Sequence, residues 1–298
     1  MLKSLFAAAL GMVLLASPKV ARAAAPACLL RLETPLPNWL VDGHDVFDAE
    51  PAVGAFELVV VNDGAEECRT SLRVSTDAEL FGLTSDRVAR VGYSLVDRST
   101  GFEVVSPGAR TSTRGGPARL VVPAHAQLIV TLDLRTAADF PSDGLFIQQL
   151  QFELDGLDGA PLASRAVQLA VRVRPSVSMT LSGAFTRVGG VADVDLGTLA
   201  TGAASLPLGL RVRSSRGFRL TSASANGGLL RSADGAWSIP YRLTADAQSI
   251  DGNGGSFVVS SPGQRRVRDV RIGFTIGDIE GRRAGHYADV IILTLAIE

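Results

Sequence analysis

The stretch from Gly285 to Glu298 constrains this chain most. Gly285-His286-Tyr287-Ala288-Asp289 reads as a turn, and Val290-Ile291-Ile292-Leu293-Thr294-Leu295-Ala296-Ile297-Glu298 reads as a strand. Ile291, Leu293, Leu295 and Ile297 share one face at the two-residue period of a pleated strand, and their residue types favour one. The sequence stops there, with nothing left for a closing strand. A sandwich that ends in this way is expected to leave one edge of its core open. Exposed core edges invite aggregation, so such a domain is expected to take a strand from a partner.

Strand signals recur along the rest of the chain, and helical periodicity is almost absent. Phe56–Val61 ends at the turn Asn62-Asp63-Gly64, and Cys68–Val74 alternates again. Further runs are Val91–Val96, Arg119–Val122, Gln127–Leu134 and Leu145–Leu154. After a hairpin at Asp155-Gly156 and Asp158-Gly159, Ala166–Val173 returns, and Pro175 ends it. The second half repeats the scheme with Val177–Leu181, Leu206–Arg213, Gly217–Thr221, Ser238–Ala245, Ser256–Ser260, Val267–Ile276 and Val290–Ile297. Gly189-Gly190, Asn226-Gly227-Gly228, Asp251-Gly252-Asn253-Gly254-Gly255 and Pro262-Gly263 punctuate it. This pattern predicts an all-β chain of two immunoglobulin-like sandwiches in series, residues 24–174 and 175–298. Leu145–Leu154 corresponds to the terminal strand of the second half, but in the first half Ala166–Val173 follows it. The first sandwich is therefore expected to close itself, and the second is expected to lack its last strand.

The N-terminus reads as a secretory signal over residues 1–23. Lys3 supplies charge, Leu5–Leu15 an apolar core, and Ala21-Arg22-Ala23 a cleavage site; an uncleaved anchor is the alternative. Both lysines of the chain, Lys3 and Lys19, lie in it, so every later basic residue is Arg. The formal charge is −1 for the whole chain, and without residues 1–23 it becomes −4. That balance argues against a nucleic-acid partner, which selects a basic excess. Export makes a disulfide the expected state of Cys28 and Cys68, worth about 3–4 kcal/mol for a loop of this length; two free buried thiols are the alternative. Two cysteines and three scattered histidines cannot make a structural metal centre, and no cofactor is expected.

Three further segments bear on identity: Arg213–Thr221, Asn226-Gly227-Gly228-Leu229-Leu230 and Ile239-Pro240-Tyr241-Arg242-Leu243. With the closing Gly-x-Tyr-x-Asp and its strand, their order and spacing resemble the spore coat protein U domain family, closely over roughly residues 175–298 and loosely over 26–174. That family includes subunits of archaic chaperone–usher pili. The resemblance implies a pilus subunit assembled by donor-strand complementation, in which a partner strand completes the sheet. Its partners would be a periplasmic chaperone, an outer-membrane usher and the adjacent pilin, and its destination the cell surface by way of the periplasm. Cleavage after Ala23 would leave only Ala24-Ala25-Pro26-Ala27 before Cys28, too little to donate a strand. A subunit that accepts but does not donate fits the tip, so the expected function is tip adhesin. The alternative is a free-standing secreted or periplasmic binding protein with two closed sandwiches.

The groove for the partner strand is expected between Val177, Met179 and Leu181 on one side and Ile291, Leu293 and Leu295 on the other. An ordinary closed core is the competing reading. Trp39, Leu80 and Phe81 are candidate ligand-contact residues in loops, because burying an aromatic against a surface yields about 1.5–3 kcal/mol; packing into the core is the bland alternative. Trp237 is read as core, His286 as a turn residue, and His44, beside Asp42 and Asp45, as part of a solvated loop. Asp251–Gly254 lacks the ligand pattern of a calcium loop. No catalytic constellation stands out, and an enzyme is not expected.

Overall fold

The computed structural model describes residues 28–86, 90–109, 118–250, 255–260 and 267–298. The signal and its cleavage site, the residues between it and Cys28, the turn at Asp251–Gly254 and the turn at Pro262-Gly263 lie outside the described residues. Among those described, every regular element is a strand.

The first twelve strands are β1 (Leu30–Glu33), β2 (Asn38–Asp45), β3 (Val53–Asn62), β4 (Cys68–Ser75), β5 (Leu83–Thr84), β6 (Arg90–Val91), β7 (Tyr93–Asp97), β8 (Glu103–Val105), β9 (Ala118–Val122), β10 (Gln127–Thr136), β11 (Gly144–Gly156) and β12 (Pro161–Arg174). One sheet runs β1-β3-β10-β7-β8. The other runs β2-β12-β11-β4-β9, with β5 and β6 at its side. The alternation of β3, Phe56, Leu58 and Val60 inward, and of β10, Val130, Leu132 and Leu134 inward, meets Leu72, Val74, Phe146, Leu150, Phe152 and Leu154 of the facing sheet. Cys28 and Cys68 are joined, with their Cα atoms 5.4 Å apart. The bond ties the lead into β1 to the start of β4, and so links the two sheets. β12 closes this sandwich. It pairs antiparallel with β11 and parallel with β2, and Val167, Leu169, Val171 and Val173 are at most 1% exposed.

The remaining strands are β13 (Val177–Gly183), β14 (Thr186–Val188), β15 (Val191–Asp193), β16 (Gly202–Ala203), β17 (Leu208–Ser214), β18 (Phe218–Ser224), β19 (Leu229–Ser232), β20 (Ser238–Ala245), β21 (Gln248–Ser249), β22 (Ser256–Val259), β23 (Val267–Ile276), β24 (Tyr287–Ala288) and β25 (Ile291–Ile297). A large sheet runs β13-β17-β23-β20-β19-β24, a small one runs β22-β18-β25, and β14 and β15 form a hairpin apart from both. Leu208, Leu210, Val212, Leu243, Val270, Ile272 and Phe274 of the large sheet pack on Phe218, Leu220, Phe257 and Val259 of the small one. Among the described residues, no sheet takes strands from both sides of Pro175. The chain is thus all-β, with two sandwiches in series.

Candidate functional site

β13 and β25 are edge strands of the two facing sheets of the second sandwich. Among the described residues, β13 is hydrogen-bonded only to β17, and β25 only to β18. Their registers settle which side chains face the core, because directly opposed residues in an antiparallel ladder lie on the same face. Met179 and Leu181 stand opposite Val212 and Leu210, and Leu295 and Ile297 stand opposite Leu220 and Phe218. All four partners are buried. The inward row is therefore Val177, Met179 and Leu181 on one wall and Ile291, Leu293, Leu295 and Ile297 on the other. These rows point inward but are not covered. Met179 is 37% exposed, and Val177, Leu181, Ile291, Leu293 and Leu295 are only half-buried against the core. The matching row of β12 in the first sandwich is closed to solvent. The structure brings both rows together along one side of the sandwich.

The end of the groove at the start of β25 is organised by one carboxylate. Asp289 Oδ2 accepts hydrogen bonds from the Tyr241 hydroxyl at 2.7 Å and from the Ser224 hydroxyl. Its Oδ1 accepts from the amides of Asn226 at 3.0 Å and Val290 at 2.8 Å. Ser224 Oγ in turn accepts from the Gly228 amide at 2.8 Å, and Asn226 Nδ2 donates to the Ala288 carbonyl at 3.2 Å. The three short motifs of the second half, Asn-Gly-Gly, Ile-Pro-Tyr and Gly-x-Tyr-x-Asp, are therefore one structural unit. Gly227 and Gly228 have φ of 66° and 82°, values that side chains with a Cβ resist. Burial, and then the bond to Asp289, push the Tyr241 hydroxyl above the ordinary phenol range. Tyr241 thus stays a neutral donor. The order of the motifs was legible in the sequence, but the hub at Asp289 and the part played by Ser224 were not.

The candidate ligand loops are corrected. Trp39 is 1% exposed and lies in β2, stacked on Phe56 at 4.8 Å between ring centroids and tilted against Phe152 at 5.2 Å. Phe81 is fully buried, and Leu80 is half-buried. Gln148 explains the last two. Its buried amide Oε1 accepts from the Gly82 amide at 2.9 Å and from the Tyr93 hydroxyl at 2.6 Å, while Nε2 donates to Thr76 Oγ1 at 3.1 Å and to the Leu80 carbonyl at 3.0 Å. Every polar group of that side chain is satisfied, and the segment is drawn onto the core. None of the three residues is offered to a ligand as an exposed aromatic or aliphatic tip. Trp237, expected in the core, is half-buried. His44 is not in a solvated loop: its side chain is 7% exposed and packs on Phe140 at 5.0 Å. Among the described residues, no group of three or more His, Cys, Asp or Glu is placed to hold a metal ion.

No family model matches the chain, and no curated protein matches it. Solved structures with a similar arrangement include a chain of the CsuC–CsuE chaperone–tip adhesion subunit pre-assembly complex from archaic chaperone-usher Csu pili of Acinetobacter baumannii, at 12% identity and a TM-score of 0.47, covering 87% of this chain and 97% of that one. The CupB6 tip adhesin from Pseudomonas aeruginosa follows at 12% identity and a TM-score of 0.42, covering 91% and 95%. CfaE, the adhesive subunit of CFA/I fimbria of enterotoxigenic Escherichia coli, stands at 10% identity and a TM-score of 0.36, covering 88% and 93%. At these scores the likenesses are shallow, and function is read from the chain's own geometry.

Proposed function

We propose that this protein is a strand-accepting pilus subunit, and the two-domain tip adhesin of an archaic chaperone–usher pilus. The observation that carries this is the contrast between the two sandwiches. In the first, β12 covers the core beside β11. In the second, the equivalent place beside β25 holds no strand among the described residues, and an apolar row on each wall stands half-exposed. A strand from a periplasmic chaperone, and later from the adjacent pilin, would lie there, and an outer-membrane usher would handle the exchange. The motif resemblance to spore coat protein U domains points the same way. The self-closed first sandwich would carry the adhesive surface. This reading needs no catalytic group.

The Cα atoms of β13 and β25 come within 8 Å of each other. Seating a strand between two neighbours takes about 9.6 Å, twice the interstrand spacing. The edges must part for a donor to enter. The same nearness favours a second reading, a free-standing binding protein whose second sandwich closes on itself.

Periplasmic expression of tagged Ala24–Glu298 with and without the candidate chaperone separates the two. The pilus reading expects a one-to-one complex, and loss of the lone protein to aggregation or proteolysis. A lone protein that is soluble, monomeric and unfolds cooperatively would rule it out in favour of the closed binding protein.

A further inference from the structure

The two sandwiches meet through a turn that also ends the groove. Only Pro175 and Ser176 separate β12 from β13. Ser176 and Ser215 are tied by two bonds, Ser176 N to Ser215 Oγ and Ser215 N to the Ser176 carbonyl, each 3.0 Å. From the same turn Arg216 reaches back to the first sandwich. Its Nε and Nη2 lie 2.6 and 2.5 Å from Oδ2 of Asp143, the residue before β11. Nearby, the Arg213 guanidinium sits 4.6 Å from the centroid of the Phe47 ring, a cation–π contact.

The Asp143–Arg216 pair is unequal. The Asp143 side chain is 1% exposed and its Oδ1 has no hydrogen-bond partner among the described residues, whereas the Arg216 side chain is 46% exposed. A buried carboxylate with one partner depends on that partner. Arg216 is held in turn by Ser214, which is 1% exposed: Ser214 Oγ donates to the Arg216 carbonyl at 2.7 Å.

Ser214 stands opposite Val177 of β13, and Phe218 stands opposite Ile297 of β25. The Gly217 carbonyl accepts from the Glu298 amide at 2.8 Å. Segment 214–218 is thus the crossing from the large sheet to the small one, and it closes the groove at the end facing the first sandwich. A Cβ on Gly217 would lie 2.7 Å from the carbonyl oxygens of Val259 and Ser260, so the crossing is packed tightly at this point.

We propose that this crossing couples the two sandwiches: the separation of β13 and β25 is transmitted through Arg216 to Asp143, so that filling the groove stiffens the junction with the first sandwich. The proposal rests on the strand-accepting reading. It assigns Arg216 and Asp143 as the coupling pair, and segment 140–147 as the receiving element.

Hydrogen exchange read by mass spectrometry tests it on Ala24–Glu298 in its chaperone complex and, at low concentration, on the chain freshly released from that complex. In the native chain, chaperone binding is expected to slow exchange in β13, β25 and residues 140–147, the last by about fivefold, the low end of ordinary coupling. Asp143→Asn keeps the shape and removes the charge; there the groove strands slow as before while 140–147 does not respond. A native segment 140–147 that ignores the chaperone while the groove slows overturns the coupling, and so does a D143N response equal to native. If the chaperone slows neither β13 nor β25, the strand-accepting reading fails, and the lone chain decides the coupling. Asp143→Ala, which strands only the solvated Arg216, is then expected to speed exchange at the Glu298 end of β25 by a similar factor. Unchanged exchange there overturns it.

Discussion

A donor strand supplied within the same chain should stabilise the second sandwich, and the gain can be estimated from the groove walls. The chain already contains a strand shaped for this place: Ala166–Val173 carries Val167, Leu169, Val171 and Val173 inward in β12. A copy of that segment after Glu298, on a flexible Gly/Ser linker of about ten residues, can reach either end of β25. Fully burying an aliphatic side chain is worth about 1.5–3 kcal/mol. Val177, Met179, Leu181, Ile291, Leu293 and Leu295 have up to roughly a third of that still to gain, so covering all six contributes up to about 3–6 kcal/mol. The donor's own apolar residues and its ladder hydrogen bonds roughly offset the entropy of ordering about eight residues. With about 3–5 °C per kcal/mol for a domain of this size, the second transition should rise by up to roughly 10–30 °C. Calorimetry measures it, and the control is the same fusion with the copies of Leu169 and Val171 changed to Asn. A fusion that melts with the control, or slower exchange in the copied strand without slower exchange in β13 and β25, would refute the open-groove reasoning.

Other perturbations, made in the same self-complemented fusion, test separate parts of the account. Asp289→Ala removes the acceptor shared by Ser224, Asn226, Tyr241 and Val290; it should cost about 2–4 kcal/mol by denaturant titration and leave the first sandwich unchanged. Trp39→Ala should destabilise the first sandwich by about 3–5 kcal/mol, and an unchanged denaturation midpoint would contradict its burial. Reducing Cys28–Cys68 should lower the stability of the first sandwich by about 3–4 kcal/mol, read as a shift in the urea midpoint. Burial alone would raise the Asp97 carboxyl, but hydrogen bonds from Ser99 and Thr100 outweigh it and hold the group below its usual range. A depressed carboxylate stabilises the fold above its unfolded pKa of about 3.9 and loses that contribution as pH falls through the folded value. Asp97→Asn should therefore flatten the loss of stability below about pH 4, seen in acid unfolding followed by circular dichroism.

What the sequence allowed to be read, and what it hid, follows from parity. A strand with a clean two-residue period declares both its existence and its inward face, and β3, β10, β11, β12, β13 and β25 all do so. β2 does not. Asn38-Trp39-Leu40-Val41-Asp42-Gly43-His44-Asp45 mixes charge, glycine and aromatics, and reads as a loop. It pairs with β12 parallel, across most of the sandwich sequence, so no local turn announces the pairing. Gly43, with φ of 91°, takes up an extra residue at the irregularity between Asp42 and His44. Before it, Trp39 and Val41 face the core; after it, His44 stands opposite inward-facing Val173. The bulge reverses the expected parity and turns a histidine flanked by aspartates inward. The second gap was of a different kind. The Asn-Gly-Gly, Ile-Pro-Tyr and Tyr-x-Asp motifs are each legible as turns or strands, yet the bonds that unite them at Asp289 join residues up to 65 positions apart. Periodicity measures what one strand does to its own face; the hub depends on three loop ends meeting, which only the folded chain determines. The groove combines both kinds of information. Its walls follow from period, and the proposed opening rests on β25 having no second neighbour among the described residues. Placing a strand there should therefore leave the Asp289 hub intact while changing the exposure of the walls, so exchange at Asn226 and Gly228 should stay constant in the same fusion that protects β13 and β25.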